Sequence, residues 1–193
     1  MNFSRGETMT EESFKAEVKL AVKGDTEAFA KLYELVYKEL YRTALFGLRN
    51  SEDACDAVSE TVLDAFSGIK NLKDENAFRK WIFRILAGKI KRKQKEYINK
   101  RTEQLNEDMK GQSFDFGYTE LNHEIEKLEQ EERLILSLAV ISGYTSNEIA
   151  EMTGLKPSTV RSKLMRTKEK LKKRLETSVP MTYIKRNRKK LPM

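Results

Sequence analysis

Seven residues between Ser158 and Arg166 have side chains suited to reading the edges of bases: Ser158, Thr159, Arg161, Ser162, Lys163, Met165 and Arg166. A guanidinium can hold guanine through two parallel hydrogen bonds, a serine or threonine hydroxyl adapts to donor or acceptor, and a thioether offers apolar contact. At 100° per residue, Val160, Leu164 and Leu171 fall on one side of a helix. Ser158, Ser162, Met165 and Arg166 fall on the other, with Arg161 and Lys163 flanking them. The spacing therefore predicts an apolar side that anchors and a polar side that reads.

A second basic set lies earlier. From Arg79 to Lys95 the chain carries eight Lys or Arg and no acid. Lys80, Arg84 and Lys91 share one side of a helix there, while Phe78, Trp81, Ile82, Ile85 and Leu86 supply an aromatic-rich apolar face. The run from Lys156 to Arg174 adds nine more cations against the single acid Glu169, within a net charge of +7. Such clusters attract polyanions, nucleic acid first and a membrane surface second. Between Glu52 and Asp64 the sign reverses. Asp53, Asp56 and Glu60 repeat at intervals of three and four with no basic neighbour in sequence, which points to a second, basic partner.

Catalytic chemistry finds little support. There is no phosphate-binding glycine loop and no zinc-ligand spacing, and the single histidine, His123, reads as exposed decoration. We expect no enzyme activity, cofactor, metal or small-molecule substrate. Cys55 is the only cysteine, so no disulfide can form within the chain and a reducing compartment fits. No signal-like or membrane-length apolar run is present, which predicts a cytoplasmic protein without direct membrane insertion.

The elements that must hold these residues are helical throughout. A helix is expected over about 11–22, broken at Gly24-Asp25, with Asp25 capping the next. Phe29, Leu32, Tyr33, Val36, Leu40, Ala44 and Leu48 form the broad stripe of that second helix, and Asn50-Ser51 marks a stop and restart. Ala54, Val58, Val62, Ala65, Phe66 and Ile69 line a third, with Cys55 expected to be packed. A polar connection from Lys70 to Asn76 leads into the basic helix. Residues 98–118 lose periodicity and read as a flexible linker. Order returns with Leu121, Ile125, Leu128, Ile135 and Leu138, expected on one helix ending near Gly143. Thr145 to Glu148 reads as a capping box, Gly154 as a turn with positive φ, and Pro157 as the first residue of a final helix. Ser146 to Lys163 thus has the form of a helix-turn-helix, whose second helix enters a DNA major groove.

The fold expected is all-α: two small helical domains joined by a flexible linker, the C-terminal one containing the helix-turn-helix. Its divisions are 11–97, a linker over 98–118, 119–176, and a basic tail over 177–193 to which no role attaches.

In their order and spacing, four segments resemble the extracytoplasmic-function sigma factors of bacterial RNA polymerase. GDTEAFAKLYELVY is similar to the opening helix of that family, and SEDACDAVSETVLDAF to the helix that docks on the polymerase clamp. AFRKWIFRILAGKIK resembles the promoter-melting segment, and SGYTSNEIAEMTGLKPSTVRSKLMRTKEKLKKRL the reader of the −35 element. The resemblance implies a sigma factor that binds core RNA polymerase and directs initiation at promoters by recognising −10 and −35 elements. It implies polymerase docking through Asp53, Asp56 and Glu60, with Val62 and Phe66 supporting that helix. It implies −10 contacts from Asn71, Lys80, Arg84, Lys91 and Arg92, and −35 contacts from the seven residues named first. An anti-sigma factor is implied as a further partner.

Departures from the family pattern are Ser59 and Val62 where Gln and Phe are usual, Gly88 where Asn is common, and Lys156 where a capping Ser often stands. From the residues alone, two other readings stay open. SNEIA also occurs in helix-turn-helix regulators of the LuxR type, although residues 11–97 show no βα sensor pattern. A pure interaction protein is the other, and the paired basic segments weigh against it.

Overall fold

The computed structural model describes residues 9–103 and 120–178, and every regular element in them is helical. Eight α-helices run in order: α1 (Glu11–Val22), α2 (Thr26–Leu48), α3 (Ser51–Gly68), α4 (Phe78–Glu103), α5 (Glu120–Glu126), α6 (Gln130–Val140), α7 (Ser146–Thr153) and α8 (Pro157–Ser178). Two 3-10 turns, Ile69–Asn71 and Glu75–Ala77, link α3 to α4.

Local chemistry sets the starts of these helices. The first backbone amides of a helix lack intrahelical partners, and a short polar side chain just before it satisfies them. Thr10 accepts from the Ser13 amide at 3.2 Å, and Asp25 accepts from Glu27 and Ala28 at 2.9 and 3.0 Å. Asn50 accepts from Asp53 at 3.0 Å. At α7 the Thr145 hydroxyl accepts from the Glu148 amide, and the Glu148 carboxylate accepts in return from the Thr145 amide at 2.9 Å. Gly154 closes α7 with φ +73, a conformation that a side chain would strain, and its amide donates to the Ala150 carbonyl. The caps at Asp25 and Thr145, the restart at Asn50 and the positive φ of Gly154 follow the sequence expectation, to which the Thr10 cap is an addition.

One expectation needs correcting. The apolar repeat from Leu121 to Leu138 is not a single helix: the chain turns over Lys127 to Glu129, where the Leu128 amide donates to the Ile125 carbonyl. Glu129 restarts it as a capping residue, with Glu132 accepting from the Glu129 amide at 3.1 Å. Both pieces keep the periodicity, so the stripe alone conceals the break. Residues 98–103 of the expected linker belong to α4; the rest of it, and the tail beyond Ser178, lie outside the described residues.

Packing joins the two halves. Phe78, Ile82, Phe83, Leu86, Ala87 and Ile90 of α4 are wholly buried, against Leu32, Val36, Leu40 and Ala44 of α2 and Ala54, Val58 and Ala65 of α3. The same core continues into Leu134, Ile135 and Leu138 of α6, Ile149 and Ala150 of α7, and Val160 of α8. Each such aliphatic or aromatic side chain contributes roughly 1.5–3 kcal/mol by leaving water.

Thr145→Ala is expected to cost about 1 kcal/mol in urea denaturation, because the Glu148 amide loses its partner. The hydrogen bonds from the Thr145 hydroxyl and amide hold the Glu148 carboxyl below its ordinary value of 4.5, against the opposing effect of burial. Its contribution is therefore whole above that value and lost as the pH falls through the lowered pKa. In the Thr145→Ala chain, that part of the acid destabilisation should shrink.

Candidate functional site

The start of α8 at Pro157 and the buried Val160, Thr167 and Leu171 fix the rotation of α8. Ser158, Arg161, Ser162, Met165 and Arg166 are thereby exposed, and Thr159 is half-buried. Lys163 departs from the set: its ammonium pairs with Glu131 of α6 at 2.8 Å, which raises its pKa. Five of the seven expected base readers share an open surface. Lys170, further along, pairs with Glu132 at 3.3 Å.

The acid stripe of α3 is not without basic neighbours, because α4 brings them from some forty residues away in sequence. Lys93, whose side chain is 10% exposed, reaches Asp53 at 2.9 Å and Asp56 at 3.2 Å. Burial works against the Lys93 ammonium, yet the two carboxylates outweigh it and raise its pKa. The Tyr97 hydroxyl donates to Asp53, and burial together with that carboxylate pushes its pKa up. Glu60 receives Arg92 and, at 3.4 Å, Lys89. Burial opposes the Glu60 charge, and these two cations still hold its carboxyl below the ordinary range. Asp53 is thus built into the fold at 25% side-chain exposure, whereas Asp56, at 67%, keeps an outward face.

Beside these acids α3 exposes Leu63 and Phe66; the Phe66 ring meets Phe29 edge-on at 5.2 Å. Val62 is half-buried against the core. Cys55 is exposed rather than packed, since it sits on the outward side of α3 between Ala54 and Asp56. Leu63 went unnoticed in the sequence, although an apolar residue outside the stripe of Val58, Val62 and Ala65 was a usable signal.

On the other flank of α4, Lys80 pairs with Glu151 of α7 at 2.6 Å. Lys91 donates to the Thr153 carbonyl at 2.6 Å, where the negative end of the α7 dipole suits a cation. Arg84 and Gly88 are exposed. A Cβ built on Gly88 meets nothing within 4 Å. Arg92 turns away to α3, and Asn71 sits exposed in the 3-10 turn, so neither joins Lys80, Arg84 and Lys91 on that flank. Among the described residues no group of three His, Cys, Asp or Glu is arranged to hold a metal, and no helix is long and apolar enough to cross a membrane.

Comparison with known families gives this arrangement its context. The family Sigma-70 region 2 matches residues 29–101, and Sigma-70, region 4 matches 118–171, between them about two thirds of the chain. The chain belongs to the sigma-70 family, in its extracytoplasmic-function group. Among its relatives, the RNA polymerase sigma factor SigV of Bacillus subtilis is 28% identical over 132 residues, 67% of this chain and 80% of the relative. The ECF RNA polymerase sigma factor SigW of the same organism is 26% identical over 185 residues, 83% and 96%. ECF RNA polymerase sigma factor SigM of Mycobacterium tuberculosis is 27% identical over 154 residues, 78% of each.

Two solved structures share the fold. CnrH in complex with the cytosolic domain of CnrY has a TM-score of 0.63 at 21% identity, covering 86% of this chain and 98% of that one. RpoE in complex with the anti-sigma factor NepR from Bartonella quintana has a TM-score of 0.65 at 18% identity, covering 78% and 98%. As a sigma factor the chain directs RNA polymerase to promoters, and sigma factors are non-catalytic initiation factors. The α1–α4 half holds region 2 and the α5–α8 half region 4.

The α3–α4 geometry predicts unequal roles for two neighbouring acids. Asp53→Ala strips a largely buried ammonium and a tyrosine hydroxyl of their shared partner, and should cost about 2–3 kcal/mol. Asp56→Ala removes an exposed carboxylate and should stay within about 0.5 kcal/mol. Urea midpoints of the two variants check this directly.

Proposed function

We propose that this sigma factor reads the −35 element through the open side of α8 and the −10 element through Lys80, Arg84 and Lys91 on the flank of α4. The exposed row Ser158, Arg161, Ser162, Met165 and Arg166, opposite the buried Val160 and Leu171, carries the first assignment. A helix seated this way presents its polar side along its N-terminal half, as a helix in a major groove does. Lys163 stands at the rim as a charge already paired to Glu131.

Polymerase docking falls to the outward side of α3. Asp56, the free edge of Glu60, Leu63 and Phe66 combine exposed acid with exposed apolar surface, which suits a basic partner with an apolar centre. Asp53 acts behind them by fixing Lys93 and Tyr97. The working units are 11–97 and 119–176, with 98–118 between them. The chain acts in the cytoplasm, where its polymerase is, and an anti-sigma factor restrains it. Support for that restraint comes from the related folds solved with CnrY and with the anti-sigma factor NepR.

Arg166→Ala tests the α8 assignment. Transcription across a library of −35 variants should lose roughly 1–3 kcal/mol at one or two base positions, with preference relaxed there. Lys172→Ala, further along the helix, should weaken all variants alike and more so at low salt. A uniform loss for Arg166→Ala would move base reading to Arg161, Ser162 or Met165.

A further inference from the structure

Helix α8 carries cations on more than one side, and α6 engages only some of them. Arg161 and Arg166 stand exposed on the reading side. Lys163 and Lys170, about two turns apart, share a flank that meets the first turn of α6. There the Lys163 ammonium pairs with Glu131 at 2.8 Å and Lys170 with Glu132 at 3.3 Å. The hydrogen bond to Glu131, with Glu129 and Glu132 behind it, raises the Lys163 pKa against the effect of burial. Three carboxylates at the start of α6 thus act on one lysine of the reading helix.

Fold stability does not account for the Glu131 pair. Lys163 keeps 28% of its side chain exposed and Glu131 40%, and an ion pair so open adds little to a fold. Its place on the helix matters more. Lys163 precedes Arg166 by three residues and lies roughly 60° from it around the axis, at the edge of the open side. An ammonium on a flexible four-carbon stem can exchange one partner for another. Released at that edge, it would have a DNA phosphate as its alternative anion. Every phosphate contact strengthens binding to any sequence alike, and so lengthens the stay at wrong sites as much as at right ones.

We propose that Glu131 is a positioning residue of the −35 reader: it withholds Lys163 from the DNA backbone and so lowers the sequence-independent part of binding. Its carboxylate stands where a phosphate would otherwise compete for the ammonium, and it touches no base itself. The inference rests on assigning the open side of α8 to the −35 element, and the experiment separates the two.

The full-length chain is assembled with core polymerase in four forms: unchanged, Glu131→Gln, Lys163→Ala, and the two together. Glutamine keeps the length of the glutamate side chain and removes its charge. Each holoenzyme is titrated onto a promoter duplex, and onto the same duplex with its −35 element scrambled, over a series of salt concentrations. Glu131→Gln should tighten binding to both duplexes alike, by roughly threefold or more at low salt. It should also steepen the fall of log K with log salt by about 0.9, the mark of one added phosphate contact. In the Lys163→Ala chain the same substitution should change neither affinity nor slope.

An unchanged slope for Glu131→Gln would overturn the proposal. So would a steepening that survives in the Lys163→Ala chain, because Glu131 would then act by repelling phosphates directly. A gain confined to the promoter duplex would make Lys163 a base reader and overturn it as well. Arg166→Ala, scored for base preference across the −35 library, reports on the α8 assignment alone. If it relaxes that preference while Glu131→Gln moves nothing, only the role of Glu131 falls. If Arg166→Ala is equally silent, the assignment falls with it.

Discussion

Helix α4 must bury one side and find partners for the cations on its two flanks. Phe78, Ile82, Phe83, Leu86 and Ile90 allow no solvent on the buried side, so Lys89, Arg92 and Lys93 are forced toward α3, and Lys80 and Lys91 toward α7. A lysine held at low exposure is tolerable only with a carboxylate beside it. The acids of α3 therefore have two duties. Asp53 neutralises Lys93 inside the fold, and Asp56 and Glu60 keep some charge for the outside. On the far flank the neutralising groups are Glu151 and the carbonyl end of α7, which belong to the other region.

Gly47 allows this seating. A Cβ there would meet Ile90 at 3.3 Å, so a glycine lets α2 and α4 approach closely enough for Gln94 to reach the Gly47 carbonyl. Through the same carbonyl Arg133 of α6 is drawn in at 3.4 Å. One backbone oxygen thus gathers side chains from both regions.

Features set by neighbours in sequence were legible in it. The caps at Asp25, Asn50 and Thr145, the positive φ of Gly154 and the outward row of α8 all depend on residues within one or two turns. The break between α5 and α6 was not, because Glu129 caps weakly by type and the apolar repeat runs through it. Nor were the partners of the acid stripe, which lie about forty residues away and required the angle between α3 and α4. Hydrophobic periodicity says that a face is buried but not what covers it. It could not show that α6 and α7 share the core of α2 and α4. The partners of Lys163 and Arg92 were hidden for a related reason: a long side chain follows the nearest carboxylate, and Glu131 and Glu60 come from other helices.

The pairing of α4 cations with carboxylates brought by neighbouring helices is the central claim, and a double-mutant cycle tests it most directly. Lys93→Ala, Asp53→Ala and the double variant are compared by urea denaturation. A coupling of about 1 kcal/mol or more between Lys93 and Asp53 is expected. Losses that simply add would contradict a fold in which α3 neutralises the cation that α4 buries.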